Sequence, residues 1–245
     1  MKQALDLDIV IPVFNESDNI IPVLESFRKH LKSEYRVLVC YDFEGDNTLP
    51  AVKNWTHFDP AKHLFIRNQQ RGPHAAVLAG FKASEAPAVL VYPADDDYNA
   101  PQIDLMVQTA RSGFDIVCAS RFAPGGSMRE CPWLKSFLVR AAGWSLYHLG
   151  RLPTRDASNG LRLFSQKLLR ETNFESTEGF TYSIELLVKA HRQARPITEI
   201  PVQWFQRKQG ESRFKVLKWL PAYLRWYFYA FGTTYLRHRK IDLNS

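Results

Sequence analysis

Three consecutive carboxylates, Asp95, Asp96 and Asp97, directly follow a short apolar segment at residues 88–92. The apolar segment is typical of a buried strand, and Pro101 opens a helical pattern soon after the acids. In open α/β sheets, ligands bind at the carboxyl ends of strands. Adjacent carboxylates repel one another unless a cation or solvent offsets their charge. The segment therefore indicates either a divalent-metal site for a phosphate-bearing substrate or a solvated acidic turn.

The composition is that of a globular protein with anionic partners. A length of 245 residues is ordinary for one α/β domain, and 45% hydrophobic residues argue against a disordered chain. A net charge of +7 favours nucleotide phosphates, anionic lipid or nucleic acid without choosing among them. The spacing of the cysteines is not that of metal ligands. No signal peptide is recognisable, because Asp6 and Asp8 interrupt the apolar start of the chain. We therefore predict a reducing, cytoplasmic location, with Cys40 and Cys118 in the core.

Strands and helices are predicted to alternate through the first half of the chain. Strands are expected at residues 7–14, 36–41, 64–67, 88–92 and 115–119, and the main helices at 18–32, 74–83 and 101–111. This alternation predicts a parallel, doubly wound sheet. The second half predicts helices at 133–149 and 178–191, a short apolar run at 161–164 and a strand at 197–205. Pro201 favours an edge position for that last strand.

Six segments occur in an order that resembles glycosyltransferase family 2. They are residues 12–16 (PVFNE), 71–72 (RG), 94–97 (ADDD), 119–121 (ASR), 155–160 (RDASNG) and 179–185 (GFTYSIE). Within that family the chain is similar to the dolichol-phosphate mannose synthases, over roughly residues 7 to 214. The resemblance implies a Rossmann-like GT-A fold, a nucleotide-sugar donor linked to UDP or GDP, a divalent cation and inversion at the anomeric carbon.

The resemblance also implies a set of residues for the donor. They are Pro12, Phe14, Asn15 and Glu16 in the first loop, Asp42 after the second strand, Arg71, then Ala94, Asp95 and Asp96, and finally Arg207, Ser212 and Arg213 in a late basic loop. Phe14 can stack on the base, while Asn15 and Glu16 can form hydrogen bonds. Tyr41 occupies the place of a second acid that usually accompanies Asp42. The identity of the base, uracil or guanine, therefore stays open.

The metal site departs from the Asp-x-Asp pattern of the family. Pro93 stands at the first acidic position and Asp95 at the second. Either Asp95 and Asp97 act as a displaced pair, or Asp95 alone binds the ion. One or two carboxylates with diphosphate oxygens suffice for Mg²⁺ or Mn²⁺. Such an ion neutralises charge on the departing nucleoside diphosphate.

The remaining matches concern the acceptor. Arg121 resembles an arginine that binds acceptor or donor phosphate, a role that suits a guanidinium. Asp156 and Glu185 match acids near the acceptor. A lipid-phosphate acceptor needs no strong general base, whereas a hydroxyl acceptor requires a carboxylate to take its proton. Asp156 and Glu185 are the candidates for that base, or else they are structural and pair with an arginine or cap a turn.

Residues 217–236 predict an amphipathic helix rich in aromatic side chains. Lys218 and Arg225 lie within it and argue against a transmembrane span. Aromatic and basic residues fit a helix in the membrane interface, and a helix packed on the domain is the alternative. We divide the chain into a catalytic domain at 1–214 and a C-terminal helix with a basic tail at 215–245.

These features together predict an inverting glycosyltransferase. The acceptor is expected to be a polyprenyl phosphate or another membrane-associated molecule, with peripheral contact to the inner face of the membrane. A transferase acting on a soluble hydroxyl acceptor is one alternative. A GT-A-like protein that binds without turnover is another, since Tyr41 and Pro93 replace acids of the family. No nucleic-acid-binding module is recognisable, and homo-oligomer formation stays open.

Overall fold

The computed structural model describes residues 4–129, 131–205 and 216–236. The seven strands of its main sheet are β1 (Leu7–Pro12), β2 (Tyr35–Tyr41), β3 (His63–Arg67), β4 (Ala88–Val91), β5 (Ile116–Ser120), β7 (Arg162–Ser165) and β8 (Ile197–Pro201). They lie in the order β3-β2-β1-β4-β7-β5-β8, and only β7 runs antiparallel to its neighbours. Two short strands, β6 (Ser127–Met128) and β9 (Gln203–Trp204), pair in parallel outside this sheet.

Helices cover both faces of the sheet. They are α1 (Ser17–His30), α2 (Thr48–Lys53), α3 (Pro73–Ala83), α4 (Ile103–Arg111), α5 (Trp133–His148), α6 (Gln166–Glu171), α7 (Thr181–Arg192) and α8 (Val216–Tyr235). Successive residues of β1 face opposite cores, as the two-residue period of a strand requires. Ile9 and Ile11 join the core under α1, and Val10 joins the core under α3 and α7. The predicted doubly wound, mainly parallel architecture is confirmed.

The second half of the chain departs from the prediction in two places. The single strand expected at 197–205 is wrong, because β8 and β9 belong to different sheets. The chain leaves the main sheet after Pro201, and Gln203 instead pairs with Ser127 of β6. The position of β8 at the edge of the sheet is confirmed. Helix α6 was not expected, although Ser165 marks its start by accepting a hydrogen bond from the Leu168 amide.

The C-terminal helix α8 packs one face against the domain. Trp226 and Ala230 are buried in the core beside α7, and other apolar residues of α8 are exposed. The division between 214 and 215 falls outside the described residues and stays a prediction. Both Cys40 and Cys118 are buried, as predicted.

Helix α3 approaches the sheet closely at Gly80. A β-carbon at Gly80 would lie 2.4 Å from Cγ1 of Val10 and 3.0 Å from the sulfur of Cys40. Because a packed core tolerates added volume poorly, we expect Gly80→Ala to lower the free energy of unfolding by about 1–3 kcal/mol. The matched control is Gly232→Ala in α8, where no atom lies within 4 Å. Urea denaturation should show no loss for the control, and equal stability of both variants would contradict this packing argument.

Candidate functional site

The carboxyl ends of β1, β2 and β4 lie side by side and carry the first candidate residues. The loop after β1 is attached to the loop after β2. The amide of Asn15, a residue with φ of 55°, donates to both carboxylate oxygens of Asp46 at 3.1 Å. The amide of Glu16 donates to Oγ1 of Thr48 at 2.9 Å. Asp46 is buried and also accepts from the Thr48 amide at 2.9 Å. The sequence interpretation missed this role, although an Asp side chain commonly accepts from the amide two residues later.

Two aromatic rings lie beside this pair of loops. The ring of Phe14 is exposed and lies 5.5 Å from the ring of Phe43, at an angle of 48°. Pro12, which ends β1, is partly buried next to them. Exposed aromatic faces offer stacking area to a planar base. The placement of Phe14 is therefore compatible with the base-stacking role predicted for it.

Asp42 holds the loop that carries Arg71. Its Oδ1 accepts from the side-chain amide of Asn68 at 2.6 Å, and its Oδ2 accepts from the amide of Gly72 at 2.9 Å. Gly72 has φ of 105°, which favours glycine at this turn. Arg71 itself is exposed. Both oxygens of Asp42 thus fix the position of the basic loop relative to β2.

The three acids after β4 do not share one environment. Asp95 and Asp97 are exposed, and Asp96 is buried. Asp96 accepts hydrogen bonds from the Tyr92 hydroxyl at 3.2 Å, the Asn99 amide at 2.9 Å and the Asn99 side chain at 2.7 Å. Burial raises the pKa of Asp96 to about 6, although these hydrogen bonds act in the opposite direction. The middle acid therefore organises the turn, and the outer two are presented to solvent.

The donor chemistry of this turn fits a hard divalent cation. Carboxylate oxygens are the ligands that Mg²⁺ and Mn²⁺ prefer, and Asp95 and Asp97 both expose them. Among the residues described, no group of three or more His, Cys, Asp or Glu side chains is placed to enclose an ion. A cation here would accordingly need oxygens from the substrate. This is the arrangement expected where an ion is held between one or two carboxylates and a diphosphate.

The acidic turn also anchors the start of the late basic loop. The side chain of Asn99 donates to the Gln203 carbonyl at 2.8 Å and accepts from the Gln203 amide at 3.1 Å. The amide of Phe205 donates to the Tyr98 hydroxyl at 3.3 Å, and the two rings are 4.8 Å apart. The chain is thus fixed to the turn just before residue 206. The predicted Arg207, Ser212 and Arg213 lie outside the described residues.

A buried ion pair lies past the carboxyl end of β5. Arg121 donates from Nε and Nη2 to the two oxygens of Asp156, at 2.7 and 2.8 Å. Nη2 also donates to Oγ of Ser158 at 2.8 Å. Burial raises the pKa of Asp156, but the hydrogen bonds and charge of Arg121 outweigh it and hold that pKa below its usual range. Asp156 is fully buried and ionised, and its arginine partner is nearly buried.

Glu185 is fully buried on α7. Its carboxylate accepts from the amides of Glu175 and Ser176 at 2.7 and 2.8 Å, and Nζ of Lys189 lies 2.6 Å away. Ser176 in turn lies 2.9 Å from Nε2 of His74, at the start of α3. These contacts join the loop before α7 to α3. Glu185 and Asp156 therefore both match the structural alternative that the sequence left open.

The topology brings the predicted residues together in two groups. The first loop, Asp42 and the acidic turn follow the adjacent strands β1, β2 and β4. Arg121 follows β5, which is separated from β4 by β7. Because β7 is antiparallel, its first residue, Arg162, lies at the same edge. Arg162 is fully buried and donates to the Ser183 carbonyl at 2.6 Å.

Residues 8–173 match the sequence profile described as Glycosyl transferase family 2, which is more than half of the chain. The chain belongs to glycosyl transferase family 2. It is 27% identical over 228 residues to a polyprenol monophosphomannose synthase of Mycolicibacterium smegmatis, covering 86% of this chain and 85% of that protein. It is 25% identical to a dolichol-phosphate mannosyltransferase of Pyrococcus furiosus, covering 86% of this chain but 60% of that protein. The predicted family, the group within it and the glycosyltransferase class of enzyme are confirmed.

A solved structure supports the fold. Glucosyl-3-phosphoglycerate synthase from Mycobacterium tuberculosis, in complex with Mn²⁺, uridine diphosphate and phosphoglyceric acid, has a TM-score of 0.68 to this chain. The two are 14% identical over 94% of this chain and 78% of that one, so the likeness concerns the GT-A fold. Among the described helices, none has the length and apolar content needed to cross a bilayer.

Proposed function

We propose that this glycosyltransferase moves a sugar from a nucleoside-diphosphate sugar to a polyprenyl phosphate, with inversion and with Mg²⁺ or Mn²⁺. By their names, the relatives described above transfer mannose to polyprenol or dolichol phosphates. A third, an undecaprenyl-phosphate mannosyltransferase of Micrococcus luteus, is 28% identical over 83% of this chain. The sugar and the base of the donor, UDP or GDP, stay open in this proposal.

The donor would lie across the ends of β1, β2 and β4. The base stacks on Phe14, next to Asn15 and Glu16, and Asp42 keeps the Arg71 loop beside the diphosphate. Asp95, alone or together with Asp97, would hold a divalent ion, and that ion when bound would supply positive charge against the negative charge of the nucleoside diphosphate. Phe205 is anchored on Tyr98 at this turn. Arg207, Ser212 and Arg213 follow Phe205 in the sequence, and guanidinium and hydroxyl groups suit phosphate oxygens.

One observation favours a phosphate acceptor over a hydroxyl acceptor. Both carboxylates proposed as general base, Asp156 and Glu185, are fully buried and paired with a cation. A hydroxyl nucleophile needs a base within hydrogen-bonding reach, and a buried, ion-paired carboxylate is a poor base. A lipid phosphate is already anionic and needs no proton removed. We propose that Asp156 positions Arg121 and that Glu185 positions the loop before α7.

The proposal is tested first by binding and then by transfer. Calorimetry with UDP, GDP, dTDP and CDP, each with and without Mn²⁺, should show one diphosphate that binds in a metal-dependent way. The matching nucleotide sugars are then incubated with a polyprenyl phosphate in detergent. The products are identified by mass spectrometry, and their anomeric configuration is determined by NMR. A glycosylated lipid phosphate of inverted anomeric configuration is expected. Transfer to a soluble hydroxyl but to no lipid phosphate would reject the acceptor class, and no nucleotide binding would reject the donor.

A further inference from the structure

Helix α5 exposes large apolar side chains that no other described element covers. Trp133 is 79% exposed, Phe137 62% and Trp144 59%, and Leu138 lies with them on the surface. Single exposed apolar residues are ordinary, but a row of aromatic side chains along one helix is not. Trp133, Phe137 and Trp144 are four and seven positions apart, so they lie on one face of the helix. The sequence predicted a helix here, but it did not indicate what the apolar side chains of that helix would contact.

Helix α8 adds a second exposed apolar side. Leu220, Leu224 and Phe228 are exposed, and Phe228 is 64% accessible to solvent. The two helices are joined at their C-terminal parts. The hydroxyls of Ser145 and Tyr227 lie 2.7 Å apart, and the Tyr235 hydroxyl donates to the Leu149 carbonyl at 2.9 Å. Leu149 and Tyr235 are themselves exposed, so the apolar surfaces of the two helices meet there.

The two helices and the chain segments next to them contain basic residues and no acidic ones. Residues 131–155 and 216–240 hold nine Lys or Arg and no Asp or Glu. The rest of the chain holds 23 Lys or Arg and 25 Asp or Glu, so these two segments account for the positive charge of the protein. Arg140, Arg151 and Arg225 are exposed on them. An apolar surface surrounded by basic side chains is complementary to an anionic, partly apolar partner.

We propose that α5 and α8 together form a surface that binds the interface of an anionic lipid bilayer. This α5/α8 surface consists of Trp133, Phe137, Leu138, Trp144, Leu149, Leu220, Leu224, Phe228 and Tyr235. Tryptophan, tyrosine and phenylalanine favour the depth of the lipid headgroups, and arginine and lysine attract anionic lipids. A second copy of the chain is the less suitable occupant, because the two basic segments contain no acid of their own. The acids that reach them from elsewhere, Glu175 at Arg225 and Glu199 at Arg155, are already ion-paired.

The α5/α8 surface adjoins the buried ion pair. The guanidinium of Arg140 lies 4.8 Å from the centre of the Phe122 ring, next to Arg121. Gly143 approaches the chain before Asp156 so closely that a β-carbon would lie 2.5 Å from the Arg155 carbonyl oxygen. A lipid phosphate at the bilayer surface would thus meet the protein beside Arg121 and Asp156. The placement of the lipid phosphate rests on the proposed function, whereas binding of the bilayer does not.

Vesicle binding tests the surface without donor or acceptor. The full chain is sedimented with vesicles of phosphatidylcholine alone and of phosphatidylcholine mixed with phosphatidylglycerol in equal amounts. We expect binding to the mixed vesicles that weakens as salt is added. The triple variant Trp133→Ser, Phe137→Ser, Trp144→Ser should bind at least about tenfold more weakly, since interfacial binding scales with buried apolar area. Leu105→Ser, at a side chain of α4 that is 45% exposed, is the matched control and should bind like the wild type.

Three results would overturn the proposal. The first is that the wild type does not bind mixed vesicles, and the second is that the triple variant binds them as tightly as the wild type. The third is that the wild type is a dimer in sedimentation velocity and the triple variant is not, while vesicle binding is the same for both. Thermal unfolding and nucleotide binding are measured on every variant, so that a misfolded protein is recognised. Phe228→Ser, a variant in α8 alone, should also weaken binding to mixed vesicles, and this test does not depend on α5. Transfer to a short-chain, water-soluble polyprenyl phosphate should persist in the triple variant, so failure of the surface and failure of the proposed function give different results.

Discussion

Replacing Asp95 by asparagine is expected to abolish metal-dependent binding of the nucleoside diphosphate. Asp95 is exposed, and in the proposed function it binds the cation whether it acts as a pair with Asp97 or alone. An amide keeps the shape of the side chain but removes its charge. Because bound metal supplies several kcal/mol to charge stabilisation in the transition state, transfer should fall by about a thousandfold or more. Calorimetry with and without Mn²⁺ measures the first effect, and initial rates measure the second.

Variants of the neighbouring acids separate the alternatives. Asp97→Asn should match Asp95→Asn if the two carboxylates act as a pair, and should retain most of the binding if Asp95 acts alone. Glu85→Ala, which removes an exposed acid before β4, should leave nucleotide binding unchanged. An Asp95→Asn protein that still binds the diphosphate only with Mn²⁺ would show that the ion is held elsewhere.

The alternation of exposed and buried acids in this turn could not be predicted from the sequence. Three identical residues give no sign of which one points inward. The choice depends on the Tyr92 hydroxyl and on Asn99, which in turn is held by Gln203, 104 residues later. Such non-local hydrogen bonds leave no periodic pattern. The strand before the turn and the helix after it could be predicted, because burial imposes a local pattern on their side chains.

The contrast between local patterns and long-range contacts also explains which strands could be predicted. The strands β1, β2 and β4 are nearly continuous apolar segments, which is how buried parallel strands are recognised. Strand β7 was predicted only as a short apolar run. Its antiparallel insertion between β4 and β5 is a long-range pairing that no local signal specifies. That insertion brings Arg162 to the edge where the site lies.

Asp42 and Asp46, which follow β2, show what sequence spacing leaves open. Asp42 was predicted to bind the donor, and in the structure its two oxygens hold the loop of residues 68–72. Sequence spacing places an acid at a strand end, but it cannot show whether a loop from another strand reaches that acid first. Asp46 shows the converse. Its hydrogen bond from the Thr48 amide is local, whereas its contact with the Asn15 amide depends on the packing of β1 against β2.

The second large effect is expected for Asp156→Asn, which should lower the free energy of unfolding by about 3–5 kcal/mol. Asparagine leaves the buried guanidinium of Arg121 without a compensating charge, and that is costlier than the loss of the pair itself. Urea denaturation measures the loss. Because the pKa of Asp156 lies below its usual range, the carboxylate is ionised in both the folded and the unfolded protein well above pH 4. Its contribution to stability is lost only as pH falls below that range, so the difference between wild type and variant should be constant from pH 8 to about pH 5.

A double variant tests the ion pair, and the pH–rate profile of the single variant tests proton transfer. Arg121→Met with Asp156→Leu removes both charges and should recover much of the stability, since well-packed apolar pairs can replace buried ion pairs. Transfer should stay low in the double variant if the pair orients a guanidinium toward phosphate. If Asp156 were instead the general base, Asp156→Asn would lower transfer in the folded protein, and the residual rate would lose the acidic limb of its pH–rate profile. A folded Asp156→Asn enzyme whose residual rate lacks that limb would therefore contradict the positioning role and make the hydroxyl acceptor the stronger alternative.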